Sequence, residues 1–179
     1  MTLLDIAKKY PTSKNQHGFI KFYEYYFKYF QHKEINVLEI GIDKGDSLRL
    51  WREYFSKAKI CAIDLIDKGI YVENTDIAIG DQTDLSFLKK ITDKYGSFDI
   101  IIDDGSHQCN HIITSFNFLF DYLNDNGLYV VEDLQTSYQP RYGGSRFNIN
   151  KRKTSMNFLK RLADSINYEH EDRPFYKRN

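Results

Sequence analysis

Two acidic segments are the parts of this chain best suited to chemistry. Residues 103–107 read Asp-Asp-Gly-Ser-His, and residues 132–133 read Glu-Asp. Adjacent carboxylates repel each other unless a cation or a hydrogen-bond donor lies between them. Carboxylate oxygens suit Mg²⁺, and a histidine beside them can act as a general base. We therefore predict a divalent-cation site here, against the simpler alternative that one carboxylate caps a helix and the others are solvated.

Three further groups could hold a polar small molecule. Glu39 opens an E-x-G-x-x-x-G turn whose glycines allow close approach to a ligand, and its charge suits an amine. Asp64 could accept hydrogen bonds from both hydroxyls of a ribose, and the pair 81–82, Asp-Gln, could read an adenine edge. Each acidic residue alone could instead cap a helix, and we expect Asp84 to do so. The combination nevertheless favours a nucleoside site.

Alternating elements of secondary structure place these groups. Apolar runs predict strands at 35–40, 59–65, 76–79, 98–103 and 127–131, and helical periodicity fills most of the intervals. Such alternation predicts parallel βαβ units in a three-layer α/β fold with a mostly parallel sheet. Ligands bind such sheets at the carboxyl ends of the strands, and each candidate group directly follows a strand. Aromatic-rich residues 19–30 predict a helix over the sheet, and 154–167 predict a last helix.

Composition limits the class of protein. With 179 residues, the chain suits one domain, and its net charge of zero argues against a general nucleic-acid binder. Two cysteines give no disulfide framework, and no stretch is long and apolar enough to span a bilayer. The first residues do not have the pattern of a signal peptide. We expect a cytoplasmic bacterial protein without membrane or nucleic-acid partners.

Five segments, in order, resemble the class I S-adenosylmethionine-dependent methyltransferases: VLEIGIDKGDSL, AIDL, IGDQTD, FDIIIDDGSHQCNH and GLYVVEDLQTSY. More narrowly, DDGSH followed by VVEDLQTSY and YGG resembles the metal-dependent sugar O-methyltransferases of macrolide biosynthesis, of the mycinamicin type. The resemblance implies a Rossmann-like methyltransferase fold with S-adenosylmethionine and Mg²⁺. It divides the single domain 1–179 into a helical lid (1–33), a cofactor-binding core (34–133) and an acceptor loop with a C-terminal helix (134–179).

The resemblance also implies a role for each matching residue. Cofactor contacts fall on Glu39, Gly41, Asp64, Asp81, Gln82 and Asp103. Metal ligation falls on Asp104, Glu132 and Asp133, and the general base is His107. The implied reaction is methyl transfer to a hydroxyl of a sugar or glycosylated metabolite. The acceptor is then a small molecule or glycan, and we expect a homo-oligomer.

Two alternatives and one departure stay open at this stage. The acceptor could be a phenol or catechol, or the domain could bind the cofactor without activity. A nicotinamide-dependent oxidoreductase is disfavoured because the chain lacks G-x-G-x-x-G. Class I methyltransferases usually end in a β-hairpin, which no second apolar strand supplies here. We therefore expect a C-terminal hairpin that is absent or truncated.

Overall fold

The computed structural model describes residues 1–148 and 153–166, which form a three-layer α/β fold. Its central sheet has five parallel strands in the order β3-β2-β1-β4-β5. The strands are β1 Asn36–Ile40, β2 Lys59–Asp64, β3 Thr75–Ile79, β4 Phe98–Asp103 and β5 Leu123–Val131. All five predicted strands are present, although β5 begins four residues earlier than predicted, and the predicted three-layer fold class is confirmed.

Apolar side chains on both faces of the sheet explain why helices cover it on both sides. In β4, Ile100 and Ile102 belong to one buried cluster and Ile101 belongs to the other, and all three are fully buried. Side chains alternate between the faces of a strand, so a continuous apolar run needs a layer on each side. The sequence of this strand therefore requires the sandwich that is observed.

The helices divide between the two faces. The cluster on the first face includes residues of α1 Leu3–Ala7, α3 Ile20–Phe27 and α4 Asp46–Tyr54. The cluster on the second face includes residues of α5 Leu85–Tyr95 and α6 Cys109–Leu119, and α7 Ser155–Ile166 lies against α6. A short helix, α2 Ser13–Gln16, precedes α3. The predicted cap is present, since the Asp84 carboxylate accepts hydrogen bonds from the backbone of Ser86 and Phe87.

The aromatic helix α3 is built into the core by one of its faces. Phe27 is fully buried, and its ring lies 5.6 Å from the rings of both Trp51 and Phe55. The N-terminal segment predicted to be a lid therefore contributes a layer of the sandwich. Covering of a bound ligand by the segment 1–33 stays a prediction, and part of that segment lines the cavity described below.

The predicted lack of a C-terminal hairpin concerns residues 167–179, which lie outside the described residues. Among the helices of the described ranges, none combines the length and apolar character needed to cross a membrane.

Candidate active site

A cavity of about 640 Å³ opens at the carboxyl ends of the strands. The chain builds β1 to β3 in one direction and then β4 and β5 on the other side of β1, so strand order switches between β1 and β4. Such a switch point leaves a crevice in which open α/β sheets bind ligands. Seven of the ten predicted site residues line this cavity: Gly41, Asp64, Asp81, Gln82, Asp104, His107 and Asp133.

Backbone hydrogen bonds continue the sheet beyond the strands and align the site residues. The Gly41 N–H donates to the Ile63 carbonyl at 2.8 Å, and the Asp104 N–H donates to the Ile40 carbonyl at 2.9 Å. Gly41 has φ of +85°, and a Cβ on it would overlap the carbonyl oxygen of Asp104. The turn after β1 therefore requires glycine for both its backbone conformation and its contact with the turn after β4.

Glu39 does not line the cavity but lies behind its wall. Its carboxylate is fully buried and accepts hydrogen bonds from Ser47 Oγ at 3.0 Å and Trp51 Nε1 at 3.2 Å. Burial raises the pKa of Glu39 to about 7, although the Lys14 ammonium 3.7 Å away acts in the opposite direction. Contact with the amine of a ligand stays a prediction for Glu39.

Asp64 stands at the end of β2, where a ribose was predicted. Its carboxylate accepts hydrogen bonds from the backbone N–H groups of Ile42 and Ile66 and from Lys68 Nζ at 2.7 Å. Burial works to raise the pKa of Asp64, but these hydrogen bonds outweigh it and lower the pKa. Asp64 is therefore fixed in place, with the ammonium of Lys68 against one of its oxygens.

Gln82 and Asp103 form a buried cross-link between the ends of β3 and β4. Gln82 Nε2 donates to Asp103 and to Ser115 Oγ, while Gln82 Oε1 accepts from the Ser106 backbone. Asp103 also accepts a hydrogen bond of 2.7 Å from Ser115 Oγ, and its burial raises its pKa. Asp103 thus lies behind the cavity wall, whereas Gln82 lines the cavity with both ends of its amide hydrogen-bonded, and its contact with an adenine stays a prediction. At the cavity itself, Asp81 accepts hydrogen bonds from Thr83 that lower its pKa.

The acidic segments meet at the rim of the cavity. One potential ligand atom from each of Asp104, His107 and Asp133 lies within 4.8 Å of the others. His107 Nε2 stands 3.6 Å from Asp133 Oδ2. Both His107 and Asp133 have positive φ, at +58° and +52°, so two tight turns direct these side chains to one place. The two aspartates of the pair 103–104 have separate partners, since Asp103 accepts a hydrogen bond from Ser115 and Asp104 accepts one from Lys14. These partners offset the repulsion between the adjacent carboxylates.

The Glu132 carboxylate is not one of these three converging groups. It lies against Lys14 Nζ at 2.7 Å and accepts a hydrogen bond from the Tyr23 hydroxyl. Burial raises the pKa of Glu132 and also raises that of Tyr23. Two of the three predicted metal ligands therefore converge with His107, and the third is held by neighbouring side chains.

The donor set fits a hard divalent cation. Asp104 and Asp133 offer carboxylate oxygens, and both line the cavity. Glu132 adds a third carboxylate directly after β5, next to Asp133 in the sequence. Oxygen-rich sites with several carboxylates select Mg²⁺ over softer metals. Carboxylates outnumber cations here, so a divalent ion would relieve excess negative charge.

Lys14 is the site residue that sequence reasoning missed. Its side chain is 1% exposed and pairs with Asp104 at 2.5 Å, in addition to Glu132 and Glu39. Burial acts to lower the pKa of Lys14, but the three carboxylates together raise it above its ordinary value. Lysine in a polar N-terminal stretch gives no local signal of this, because the partner Asp104 is 90 residues away.

The fold and the site together define a class. The three-layer fold is similar to that of the methyltransferase MycE from the mycinamycin biosynthetic pathway, solved in complex with Mg and SAH. That match has a TM-score of 0.92 and 35% identity and covers 100% of this chain and 48% of MycE. The MycE complex with Mg, SAH and mycinamycin VI gives a TM-score of 0.89 at 36% identity, over 95% of this chain and 49% of MycE. No protein-family model matches the chain.

Curated relatives narrow the comparison to sugar O-methyltransferases. The mycinamicin VI 2''-O-methyltransferase of Micromonospora griseorubida is 38% identical over 183 aligned positions, which cover 96% of this chain and 45% of the relative. The 8-demethyl-8-(2-methoxy-alpha-L-rhamnosyl)-tetracenomycin-C 3'-O-methyltransferase of Streptomyces olivaceus is 38% identical over 161, covering 86% of this chain and 41% of the relative. The predicted resemblance is confirmed. The chain spans less than half the length of these relatives.

Proposed function

We propose that this chain forms the cofactor-binding and catalytic part of an S-adenosylmethionine-dependent O-methyltransferase. Its acceptor is a hydroxyl of a sugar or glycosylated metabolite. The observation that carries the proposal is the meeting of Asp104, His107 and Asp133 at the rim of a cavity located at the switch in strand order. Similarity to sugar O-methyltransferases supports the choice of acceptor.

The cavity would hold S-adenosylmethionine, which supplies a sulfonium-bound methyl group. Its volume of about 640 Å³ lies in the range of small-molecule sites. Gly41 lets the backbone approach the methionine part, Asp64 takes the ribose after Lys68 moves aside, and Asp81 lies at the adenine. Glu39 and Asp103 act from behind the wall by holding the turns in position.

The acidic rim would hold Mg²⁺ through Asp104, Asp133 and Glu132. When bound, this ion supplies a Lewis acid that lowers the pKa of an acceptor hydroxyl. A sugar hydroxyl needs such help because it does not ionise at neutral pH. By fixing the position of the ion, the carboxylates would also orient the acceptor toward the cavity.

His107 accepts the proton of the acceptor hydroxyl at Nε2. The O–H bond breaks toward His107 as the new O–CH₃ bond forms and the S–CH₃ bond breaks. The sulfonium becomes a neutral thioether, and His107 releases its proton to solvent afterwards. Asp133 Oδ2, 3.6 Å from Nε2, stabilises the imidazolium that forms.

The acceptor, the location and the oligomeric state are also proposals. We propose a small-molecule or glycan acceptor, a cytoplasmic location and a homo-oligomeric state. The expectation that no nucleic acid binds rests on the balanced charge of the chain. A phenol or catechol acceptor is the competing proposal, because metal-assisted methyl transfer needs only adjacent oxygens.

The first test is a calorimetric titration with S-adenosylhomocysteine, in Mg²⁺ and again in EDTA. Methyl transfer from radiolabelled S-adenosylmethionine is then measured on a panel of rhamnosides and other deoxysugar glycosides, with catechols as the comparison panel. We expect micromolar binding, and methylation of glycosides that stops in EDTA. Absence of cofactor binding would contradict the proposed function. Methylation of catechols alone would replace the acceptor class.

A further inference from the structure

A lysine and a tyrosine from the N-terminal helices reach the acidic rim. Lys14, in α2, and Tyr23, in α3, are 1% and 5% exposed. Isolated charges are costly to bury, so a buried ammonium persists only where its partners are fixed and well placed. Both residues contact carboxylates assigned above to the metal site, and neither follows a strand of the sheet.

The contacts are selective for particular oxygens. Lys14 Nζ contacts Oδ2 of Asp104 at 2.5 Å and Oε1 of Glu132 at 2.7 Å. The Tyr23 hydroxyl donates to the same Oε1 of Glu132. Within the described ranges, no hydrogen bond falls on Oδ1 of Asp104 or Oε2 of Glu132, and the ion-pair contacts with Lys14 fall on the other oxygen of each carboxylate. Each carboxylate is thus held by one oxygen and keeps the other for a further partner.

The packing behind Tyr23 makes this hold rigid. Its ring lies 4.9 Å from that of Phe27 and 5.1 Å from that of Trp51, both fully buried. The Trp51 indole N–H is in turn bonded to Glu39, which also faces Lys14. A side chain locked by packing fixes the direction of its hydroxyl. A residue that orients a metal ligand through a hydrogen bond needs such a fixed direction.

We propose that Lys14 and Tyr23 are positioning residues that hold one oxygen of Asp104 and Glu132 so that the other oxygen is directed to a divalent cation. This inference rests on the proposed function, which assigns the cation to this rim. The N-terminal helices then belong to the metal site as well as to the core. The alternative is that the Lys14 ammonium only competes with the ion for the same carboxylates.

Measurement of manganese binding distinguishes a positioning role of Lys14 and Tyr23 from mere competition between Lys14 and the ion. Mn²⁺, as a paramagnetic probe for Mg²⁺, is titrated into the S-adenosylhomocysteine-saturated protein and the free ion is counted by electron paramagnetic resonance. We expect Tyr23→Phe and Lys14→Met each to weaken Mn²⁺ binding about 10- to 100-fold, as is usual when a partner behind a ligand is removed. Tyr23→Phe keeps the aromatic packing, so it remains decisive if Lys14→Met does not fold.

Matched controls are Tyr26→Phe and Lys8→Met, on exposed side chains of the same N-terminal helices or their ends. They should bind Mn²⁺ within about twofold of the unaltered chain. S-adenosylhomocysteine affinity in EDTA should stay unchanged in Tyr23→Phe, which a general structural defect would not allow. Equal or tighter Mn²⁺ binding by both variants, or a parallel loss of cofactor affinity in Tyr23→Phe, would overturn the inference. An unaltered chain that binds the cofactor but no Mn²⁺ would instead remove the metal from the proposed function, and the inference with it.

Discussion

At the scale of single residues, the site depends on backbone conformations that few side chains adopt. His107 and Asp133 both occupy the left-handed region, which costs a non-glycine residue on the order of 1–3 kcal/mol. Thr136 helps to fix both turns, since its hydroxyl donates to the carbonyl oxygens of His107 and Asp133. The conformational cost is consistent with a functional requirement that the two side chains meet.

His107→Asn tests the general base without disturbing its turn. Asparagine tolerates the left-handed region, so the fold should persist while the proton acceptor is lost. We expect kcat to fall about 10²- to 10⁴-fold, with S-adenosylhomocysteine affinity within about twofold of the unaltered chain. Steady-state kinetics and calorimetry check the two values. His32→Asn, at an exposed position, is the control, and an equal loss of turnover and cofactor binding would rule out the base assignment.

Glu39 makes a pH-dependent contribution to stability. Its pKa is raised from 4.5 to about 7, so the folded chain keeps this proton at pH values where the unfolded chain has lost it. The contribution of Glu39 to the free energy of unfolding therefore decreases as pH rises from about 4.5 to 7. Urea unfolding of the unaltered chain and of Glu39→Gln at a series of pH values should show their difference changing in this window. A difference independent of pH would show that Glu39 is ionised throughout.

At the scale of elements, the turn after β1 is the most constrained connection. Gly41→Ala would introduce both a strained positive φ and an overlap with the Asp104 carbonyl, whereas Gly69→Ala, at φ +64°, meets nothing within 4 Å. Comparing the two variants separates the cost of backbone strain, which both share, from the cost of the steric overlap, which only Gly41→Ala has. We expect Gly41→Ala to destabilise the chain by about 1–3 kcal/mol more than Gly69→Ala, measured by urea unfolding. Equal losses would mean that the turns after β1 and β4 can move apart freely.

Periodicity predicts the elements well because each depends on local pattern and burial. The N-terminal end of β5 is an exception, since the strand begins at Leu123 rather than at 127. Asn126 and Gly127 read as a turn, and Asn126 does have φ of +65°. The strand accommodates these two residues in a β-bulge, where its register against β4 shifts between Phe98 and Ile100. A turn signal inside a bulge cannot be told from a strand boundary by sequence alone.

The site was predictable only in part, for a geometric reason. Residues that follow each strand, such as Asp104 and His107, were located because parallel strands end at one edge. Glu39 is the last but one residue of β1, and Asp103 is the last residue of β4. Whether such a side chain faces the cavity or a helical layer changes with a shift of one residue, because side chains alternate along a strand. Lys14 was not predictable, because its role exists only after distant carboxylates have converged on it.

At the scale of the whole molecule, the N-terminal helices contribute to the stability of the core. Phe27→Ala should lower the free energy of unfolding by about 3–5 kcal/mol, because it empties a fully buried position between Trp51 and Phe55. The neighbouring Tyr26→Ala, 55% exposed, should cost far less. Urea unfolding measures both. Similar small losses would show that this segment adds little to the core.

The contact between Lys14 and Asp104 also has a consequence in time. The ribosome makes Lys14 90 residues before Asp104, and at about 5–20 residues per second the interval is roughly 5–18 s. Throughout that interval the ammonium has none of its acidic-rim partners and stays in water. The first helices of the newborn chain must therefore wait for its later strands, and the charged centre of the molecule is completed only after β4 and β5 have been made.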